Sequence, residues 1–401
     1  MHQDRYILVL NGGSSSLKFA LYHGEGRVGH GQISGIGVHP NLKVCGPQFE
    51  GKHPPVLDES CRTPSDATRI LITWLETCLP EQGLYAVGHR VVHGGSLGKP
   101  LLVTPPLMDK LRSMIPLAPL HQPFNIEVID LIARLHPQVP QVACFDTSFH
   151  VTMADLHTRF ALPRAWHDKG IRRYGFHGLS YEYIAGRLKE VSPRANAGRT
   201  VVAHLGNGSS LCALKNGRSF ETSMGFSTLE GLIMGTRTGS IDPGVILYML
   251  LEDKMDVKAV ERLLYRESGL LGVSGISADM ADLSASAAPE AREAIDLYCL
   301  QITRQVGALQ SVMGGMDALV FTAGIGEHAV GLRSQVARSL AWSGLVLDEA
   351  KNAAADGSGD KLVSAANSAV EVWVMPTNEE AMIVRHTQET VQEASRTKGA
   401  A

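Results

Sequence analysis

Two blocks rich in Gly, Ser and Asn have backbone N–H groups and hydroxyls that suit phosphate oxygens. The first is Asn11–Lys18, and a near copy of it returns at His204–Ser210. Each block lies between two apolar runs, which predicts a β-hairpin with a polar turn. Such turns can form anion-binding concavities, and glycine lets the backbone approach a ligand closely. The repeat predicts a duplicated domain with a phosphate-binding turn on each side of a cleft, although either block alone also fits an ordinary hairpin turn.

Basic residues next to glycines form a second group of candidates. Arg90 lies between a buried strand and a Gly-Gly turn, where it could hold a carboxylate bidentately or pair with a structural aspartate. Arg237 is flanked by Gly-Thr and Thr-Gly, an environment that suits either a transferring phosphoryl group or a solvated loop. His177 precedes a glycine, and we interpret it as a functional imidazole. We interpret Arg172 and Arg173 as solvent or interface residues.

Acidic and metal-binding candidates are fewer. Asp146 follows a predicted strand and could act as a base, orient a substrate, bind a cation or cap a turn. His89 and His93 are four residues apart, but no third ligand is signalled, so a zinc site is not favoured. The segment Gly324–Glu327 predicts a nucleotide-binding turn at a helix N-terminus. Neither a dinucleotide fingerprint, a P-loop nor a protein-kinase signature set is present.

The elements that must position these residues alternate between helix and strand, which indicates α/β domains with mixed sheets. Thr63 can cap a helix over residues 64–79 that starts with a proline. Other helices are predicted over 123–136, 245–252, 256–265, 331–342 and 379–395, with a long one through 298–313. Strands are predicted at 84–92, 139–145, 318–321 and 372–375, and a frayed tail at 396–401. Polar residues follow several strand ends, where open α/β sheets bind ligands.

Composition argues against a nucleic-acid-binding, membrane-spanning or secreted protein. The 401 residues allow two domains, and 37 Lys+Arg against 40 Asp+Glu give a net charge of −3. This balance predicts no nucleic-acid or anionic-membrane partner. No apolar run is long enough for a membrane span, and Ile7–Leu10 is too short for a signal peptide. The six cysteines form no Cys-x-x-Cys pair, so we expect reduced thiols in a cytoplasmic protein.

Taken together, these motifs resemble the acetate kinase family of the acetate and sugar kinase, heat-shock protein and actin superfamily. The resemblance runs from Ile7 to about Glu380. Its blocks, in the family's order, are Leu10–Lys18, Gly88–Gly95, Tyr174–Gly178, His204–Ser210, Met234–Gly239 and Phe321–Glu327. It implies an α/β fold of two actin-like, ribonuclease H-like domains with mixed sheets flanked by helices around a central cleft, usually as a homodimer.

The resemblance also implies how the chain is divided and what it does. Residues 1–150 plus 380–401 would form the N-terminal domain on the carboxylate side, including the closing helix. Residues 151–379 would form the nucleotide-binding domain, with hinge candidates near Phe149 and Thr377. The implied reaction is reversible, direct in-line transfer of the ATP γ-phosphoryl group to acetate or another short carboxylate, giving acetyl phosphate and ADP. It would depend on Mg²⁺, with Mn²⁺ as an alternative.

Individual roles come from the same resemblance. Asp146, His177 and Arg237 would be catalytic, and Asn11 and Glu379 would position the metal. The acceptor site would consist of Arg90 for the carboxylate and Val92, Leu120, Phe176 and Thr228 for the alkyl group. The ATP contacts would be Lys18, His204, Leu205, Gly206, Asn207, Gly208, Asp279, Met280, Ala281, Gly324, Ile325, Gly326, Glu327 and His328. Since acetate is already ionised at neutral pH, we expect Asp146 to orient a metal or an arginine rather than to act as a general base.

Three positions depart from the family pattern. Thr228 stands where Pro is usual, Ala281 where Arg is usual, and His328 where Asn is common. The first leaves propionate open as the preferred acceptor, and the second puts an adenosine contact in question. Two rivals come from other classes: an actin-like ATPase without a carboxylate substrate, and a His-rich zinc hydrolase.

Overall fold

The computed structural model describes residues 5–13, 15–80 and 83–399, and the chain forms two compact units. Unit 1 comprises Met1–Ser148 and Asn378–Ala401, and unit 2 comprises Phe149–Thr377. The two units divide between Ser148 and Phe149 and between Thr377 and Asn378. Among the described residues, no helix combines the length and apolar composition needed to cross a membrane.

Thirteen strands are present among the described residues. They are β1 (Tyr6–Gly12), β2 (Ser16–His23), β3 (Gly26–Ser34), β4 (Asn41–Cys45), β5 (Leu84–Val91), β6 (Leu101–Leu102), β7 (Gln141–Phe145), β8 (Arg199–Leu205), β9 (Ser209–Lys215), β10 (Arg218–Thr222), β11 (Ala318–Thr322), β12 (Lys361–Leu362) and β13 (Glu371–Val374).

The same residues form sixteen α-helices. They are α1 (Pro64–Cys78), α2 (Pro105–Ser113), α3 (Gln122–Leu135), α4 (Asp155–Thr158), α5 (Arg164–Asp168), α6 (Gly178–Val191), α7 (Pro193–Ala197), α8 (Pro243–Leu251), α9 (Val257–Arg266), α10 (Gly269–Ser274), α11 (Met280–Ala285), α12 (Pro289–Met313), α13 (Ala323–His328), α14 (Val330–Ser339), α15 (Glu349–Ala353) and α16 (Glu379–Gly399).

Each unit is built on one mixed sheet. Unit 1 has the strand order β4-β3-β2-β1-β5-β7-β6, in which β1, β5 and β7 run parallel and the outer strands antiparallel. Unit 2 has the order β10-β9-β8-β11-β13-β12, with β8, β11 and β13 parallel. In each sheet the first strands along the chain form an antiparallel set, β1–β4 in unit 1 and β8–β10 in unit 2, and the sheet then continues into parallel strands. This common topology is the duplication that the two Gly/Ser blocks predicted.

Helices cover both faces of the sheet in unit 2. Alternate residues of β8 point to opposite faces, so each face presents apolar side chains to a helix. Val201, Ala203 and Leu205 pack on the α12 side, while Val202 packs against α6. In unit 1, Leu8 and Leu10 of β1 pack with apolar residues of α1 and α3. The predicted α/β class with two mixed, helix-flanked sheets is confirmed.

Local sequence explains most element boundaries. At α1, the Thr63 side chain accepts from the Asp66 N–H and Asp66 accepts from the Thr63 N–H, which completes a capping box. Two expectations were wrong. The closing helix α16 continues to Gly399 instead of fraying from Arg396, and Gly324–Glu327 lies inside the short helix α13 rather than in a turn before a helix. The six cysteines are free thiols, as expected.

Candidate active site

Three predicted residues of unit 1 lie at the carboxyl ends of its parallel strands. Asn11 is near the end of β1, Arg90 is near the end of β5, and Asp146 follows β7. The register brings these ends together, since β1 pairs with β5 up to Leu10–His89 and the Asp146 N–H donates to the Val91 carbonyl at 3.0 Å. Parallel strands thus bring together polar residues that are far apart in sequence.

Arg90 forms a two-sided ion pair in this edge. Its Nε and Nη2 donate to the two carboxylate oxygens of Asp146 at 2.9 and 2.7 Å, and its Nη1 lies 3.4 Å from Glu379 at the start of α16. Burial alone would disfavour the charge, but the two carboxylates and the Asp146 hydrogen bonds raise the pKa of Arg90 above its ordinary value. The structural arginine–aspartate pair left open by the sequence is therefore present, and the guanidinium stays ionised between the two carboxylates at the strand ends.

Two amide side chains that the sequence analysis missed organise the neighbouring loops. Asn125 of α3 accepts from the Val92 N–H at 3.1 Å and donates to the Gly12 carbonyl at 2.9 Å. Gln122 exchanges two hydrogen bonds with the backbone of His93. These bonds tie the loop of Val92 to the start of α3, which lies two residues after Leu120. Val92 and Leu120, both predicted to line the acceptor pocket, are half-buried.

In unit 2, His177 and His204 form a stacked pair with ring centroids 4.2 Å apart. The Nδ1 of His177 is 2.8 Å from the hydroxyl of Ser210, and the Nδ1 of His204 is 2.8 Å from that of Ser180. His177 precedes α6 in the left-handed region at φ 57°, which is uncommon for a residue other than glycine. A Cβ added at Gly208 would lie 3.2 Å from the His177 Nε2, so the absence of a side chain there keeps this imidazole uncrowded.

Phe176 is held by a histidine that the sequence left without a role. Its side chain is 1% exposed, and its carbonyl lies 2.9 Å from the Nε2 of His150, whose Nδ1 is 2.8 Å from the Ser219 hydroxyl. Burial lowers the pKa of His150 to about 4, so the ring is neutral at pH 7. Because a carbonyl only accepts, Nε2 carries the proton and Nδ1 accepts from Ser219.

Arg237 lies on a loop that packs against the second Gly/Ser turn. Its Nη1 donates to the Thr228 carbonyl at 3.1 Å, so these two predicted residues are neighbours. The Gly235 N–H donates to the Asn207 carbonyl at 3.1 Å, and a Cβ on Gly235 would come within 2.2 Å of the Asn207 side chain. Glycine at position 235 therefore permits the close approach of the arginine loop to the turn.

The interpretation of Arg173 as a solvent or interface residue was wrong. Its Nη1 donates to the carbonyls of Thr222, Ser223 and Met224 at 3.1–3.4 Å, and its Nη2 pairs with Glu230 at 2.9 Å. It fixes the backbone of the segment that carries Thr228. No sequence pattern indicates this role, because every carbonyl partner is about fifty residues away.

A cavity of about 1030 Å³ opens in unit 2, large enough for a nucleotide. Eight of the predicted ATP contacts line it: Gly206, Asn207, Asp279, Met280, Ala281, Gly324, Ile325 and His328. The sequence analysis missed other wall residues, among them Arg292 of α12 and Gln335 and Arg338 of α14. Their spacing is that of ordinary solvated helix faces, which gives no functional signal.

The remaining predicted ATP contacts lie elsewhere. Leu205 is in the hydrophobic core, His204 and Gly208 adjoin His177, and Gly326 is buried against β11. The carboxylate of Glu327 accepts from the Thr377 N–H at 3.1 Å, and burial raises its pKa. Lys18 belongs to unit 1, where it is exposed on β2 opposite Asn11 in the register.

The two candidate zinc histidines have structural surroundings. His89 is buried with its Nε2 2.7 Å from the Gln141 amide oxygen, and the Nδ1 of His93 accepts from the Gly95 N–H. Burial lowers the pKa of each to about 4. Across residues 5–13, 15–80 and 83–399, no three His, Cys, Asp or Glu side chains are grouped to hold a metal ion.

Comparison with known proteins identifies the family. The sequence profile of the acetokinase family matches residues 6–385. The chain belongs to the acetokinase family. An acetokinase from Rhodopseudomonas palustris, named acetate kinase, is 52% identical over 388 residues, which cover 95% of this chain and 97% of the relative.

Solved acetokinase structures give the same result. The acetate kinase of Porphyromonas gingivalis superposes with a TM-score of 0.87 at 35% identity, covering 96% of this chain and 100% of the other. A propionate kinase from Francisella tularensis superposes with a TM-score of 0.88 at 36% identity, covering 96% of this chain and 99% of the other. The acetokinase chain therefore has the predicted actin-like fold, and it is an ATP-dependent phosphotransferase that acts on a carboxylate acceptor.

Proposed function

We propose that the chain catalyses reversible, direct in-line transfer of the ATP γ-phosphoryl group to acetate. The observation that carries this proposal is the Arg90 guanidinium, held at the strand ends by Asp146 and Glu379. The planar fork of a guanidinium suits a small carboxylate acceptor, and the nucleotide-sized cavity of unit 2 supplies space for the donor. The proposal assigns the acceptor carboxylate to Arg90 of unit 1 and the nucleotide to unit 2.

In the proposed reaction an acetate oxygen forms a bond to the γ-phosphorus while the bond to the β-phosphate bridging oxygen breaks. The electron pair of the broken bond leaves with ADP. Both reactants are anions, so Arg90, Arg237 and His177 act by offsetting their repulsion. No proton has to be removed from acetate at pH 7. Asp146 accepts two hydrogen bonds from Arg90 and therefore orients the guanidinium rather than acting as a base.

We propose Mg²⁺ as the metal of this reaction, with Mn²⁺ as a substitute. The side chains of Asn11 and Glu379 offer amide and carboxylate oxygens, the ligands that these hard cations prefer. The Glu379 side chain is 19% exposed, and its distance of 3.4 Å from Arg90 is long for an ion pair. Its carboxylate oxygens can therefore still accept hydrogen bonds from water bound to a cation. When bound, the metal would neutralise charge on the phosphate oxygens.

The acceptor is assigned as acetate with propionate as the second candidate, because one of the similar solved structures is a propionate kinase. One extra methylene changes specificity by only about 1–3 kcal/mol, or about 10- to 200-fold. Values of kcat/KM for acetate, propionate and butyrate decide between them. A value for propionate above that for acetate would reassign the substrate.

The decisive assay is trapping of the acyl phosphate with hydroxylamine in the presence of ATP, Mg²⁺ and acetate. We expect acetohydroxamate in proportion to ADP released, and little ADP without acetate. ADP release that is indifferent to acetate, with no hydroxamate, would instead support the actin-like ATPase. The expectation of a cytoplasmic location stays a prediction.

We also propose a homodimer, in which a second copy covers α8. None of the nine residues of this helix is charged or buried, and Leu247, Tyr248 and Leu251 are 56–59% exposed. An apolar helix of this kind marks an interaction site, and a symmetric contact can pair the same face on two copies. Light scattering should give a dimer, Leu247→Asp a monomer, and the control Val56→Asp in unit 1 a dimer. A monomeric wild-type protein at micromolar concentration would remove the proposal.

A further inference from the structure

Arg333 is the largest fully buried side chain among the described residues, and its partners are uncharged. Its Nε donates to the Asn352 amide oxygen at 2.7 Å, and its Nη2 to the carbonyls of Asn352 and Ala355 at 2.9 and 3.0 Å. Its Nη1 donates to the carbonyls of Gly326 and Glu327 at 3.0 and 2.7 Å. All five N–H donors of the guanidinium are thus used. Burial lowers the pKa of Arg333 to about 10, so it stays charged at pH 7.

The two Nη1 bonds end on the last turn of α13. Carbonyls in that position lack intrahelical partners, and a cation there also opposes the negative end of the helix dipole. With only six residues, α13 is too short to be stable alone. It also starts at Ala323 with φ 63°, a left-handed conformation that an L-residue adopts at a cost. The helix therefore depends on contacts from outside itself.

This helix forms part of the wall of the unit 2 cavity. Gly324, Ile325 and His328 line the cavity, whereas Arg333 does not. The other Arg333 bonds fix Asn352 and Ala355, and the chain that follows packs on His328, since a Cβ on Gly357 would lie 2.7 Å from its ring. One side chain thus joins α13, α14 and α15 behind the cavity wall.

We propose that Arg333 is a positioning residue for nucleotide binding: it anchors the C-terminal turn of α13 and so holds the wall residues Gly324, Ile325 and His328 in place for ATP and ADP. This inference rests on the proposed nucleotide site of unit 2. It requires a loss of nucleotide affinity when the anchor is removed, with binding of the acceptor carboxylate at Arg90 unaffected.

The test measures ADP affinity directly, by titration calorimetry on the full chain without acetate. Losing the charge-assisted bonds in Arg333→Met should weaken ADP binding about 10- to 100-fold. Arg333→Lys keeps the charge and should restore part of the affinity. The matched control is Ser334→Ala: Ser334 bonds Glu349 and Asn352 from the adjacent position but makes no hydrogen bond to α13, so its ADP affinity should equal that of the wild type.

Steady-state kinetics separate positioning from general damage. A positioning role raises the KM for ATP and leaves the KM for acetate unchanged, whereas mere misfolding lowers the active fraction and leaves both KM values alone. If Arg333→Met does not fold, Arg333→Lys provides the test. The proposal would be overturned if amide hydrogen exchange at residues 323–328 were faster in Arg333→Lys while its ADP affinity equalled that of the wild type. A folded Arg333→Met that binds ADP like the wild type would also overturn it. Wild-type protein that binds ADP but forms no acetohydroxamate would refute the proposed function and leave this inference standing.

Discussion

Acid should destabilise unit 2 through His150, and the size of the effect follows from its pKa. The buried ring has a pKa of about 4 in the folded chain, against about 6.5 when unfolded. Because the unfolded state binds the proton more readily, the stabilisation is fully present above about pH 6.5 and is lost as the pH falls towards 4. Between pH 7 and pH 5 this linkage amounts to about 2 kcal/mol from one histidine.

The perturbation is His150→Gln, whose amide can still donate to the Phe176 carbonyl but cannot titrate. Urea denaturation at intervals from pH 5 to pH 7 gives the free energy of unfolding of wild type and variant. We expect the variant to lose about 1 kcal/mol at pH 7 from the Ser219 bond, and the wild type to lose about 2 kcal/mol more than the variant on going to pH 5.

The matched control is Ser219→Ala, which removes the partner of Nδ1 and keeps the titrating ring. Its curve should run below that of the wild type with the same slope. Parallel curves for wild type and His150→Gln would refute the reasoning, since they would mean that the buried imidazole takes up no extra proton on unfolding.

Three further predictions concern the site. Arg237→Ala should lower kcat by about 10³- to 10⁵-fold with little change in ADP affinity, and a near-wild-type rate would exclude a role at the phosphoryl group. Arg90→Lys keeps a charge beside buried Asp146 but loses the planar guanidinium fork, so the KM for acetate should rise about tenfold or more. The control is Arg27→Lys, which changes an arginine in an exposed ion pair with Glu380. An unchanged KM for acetate in the Arg90 variant would place the carboxylate elsewhere. Ala323→Gly should stabilise the chain by about 1 kcal/mol in thermal denaturation, because φ at this position is positive. The control Ala259→Gly in α9 should destabilise the chain by about as much. A loss of stability in both variants would contradict the idea that the backbone at Ala323 is strained.

Local signals in the sequence were sufficient for most elements. The capping box at Thr63 and the proline after it set the start of α1, and short, mainly apolar runs marked β5, β7 and β11 as strands. These features depend on neighbours within a few residues, so a single sequence contains them. The Gly/Ser repeat also predicted the duplicated sheet, because each copy contains its own strand, turn and strand.

The side chains that hold the candidate site in shape depend on distant segments instead. Asn125, His150, Arg173 and Arg333 bond mainly to backbone carbonyls or amides that lie between 6 and 113 residues away. Every residue type has a backbone carbonyl, so no pattern of residue types marks such partners. Only the folded chain brings them within hydrogen-bond distance.

Local sequence patterns were sufficient to predict the two-sheet architecture, the family and the set of polar residues at the strand ends. Which of these residues meet depends on the folded chain. It paired Arg90 with Asp146, stacked His177 on His204 and separated the residues on the cavity wall from those behind it. The physical reason is that secondary structure follows from local backbone preferences, whereas charge pairing and burial follow from how the strands are ordered in the sheet.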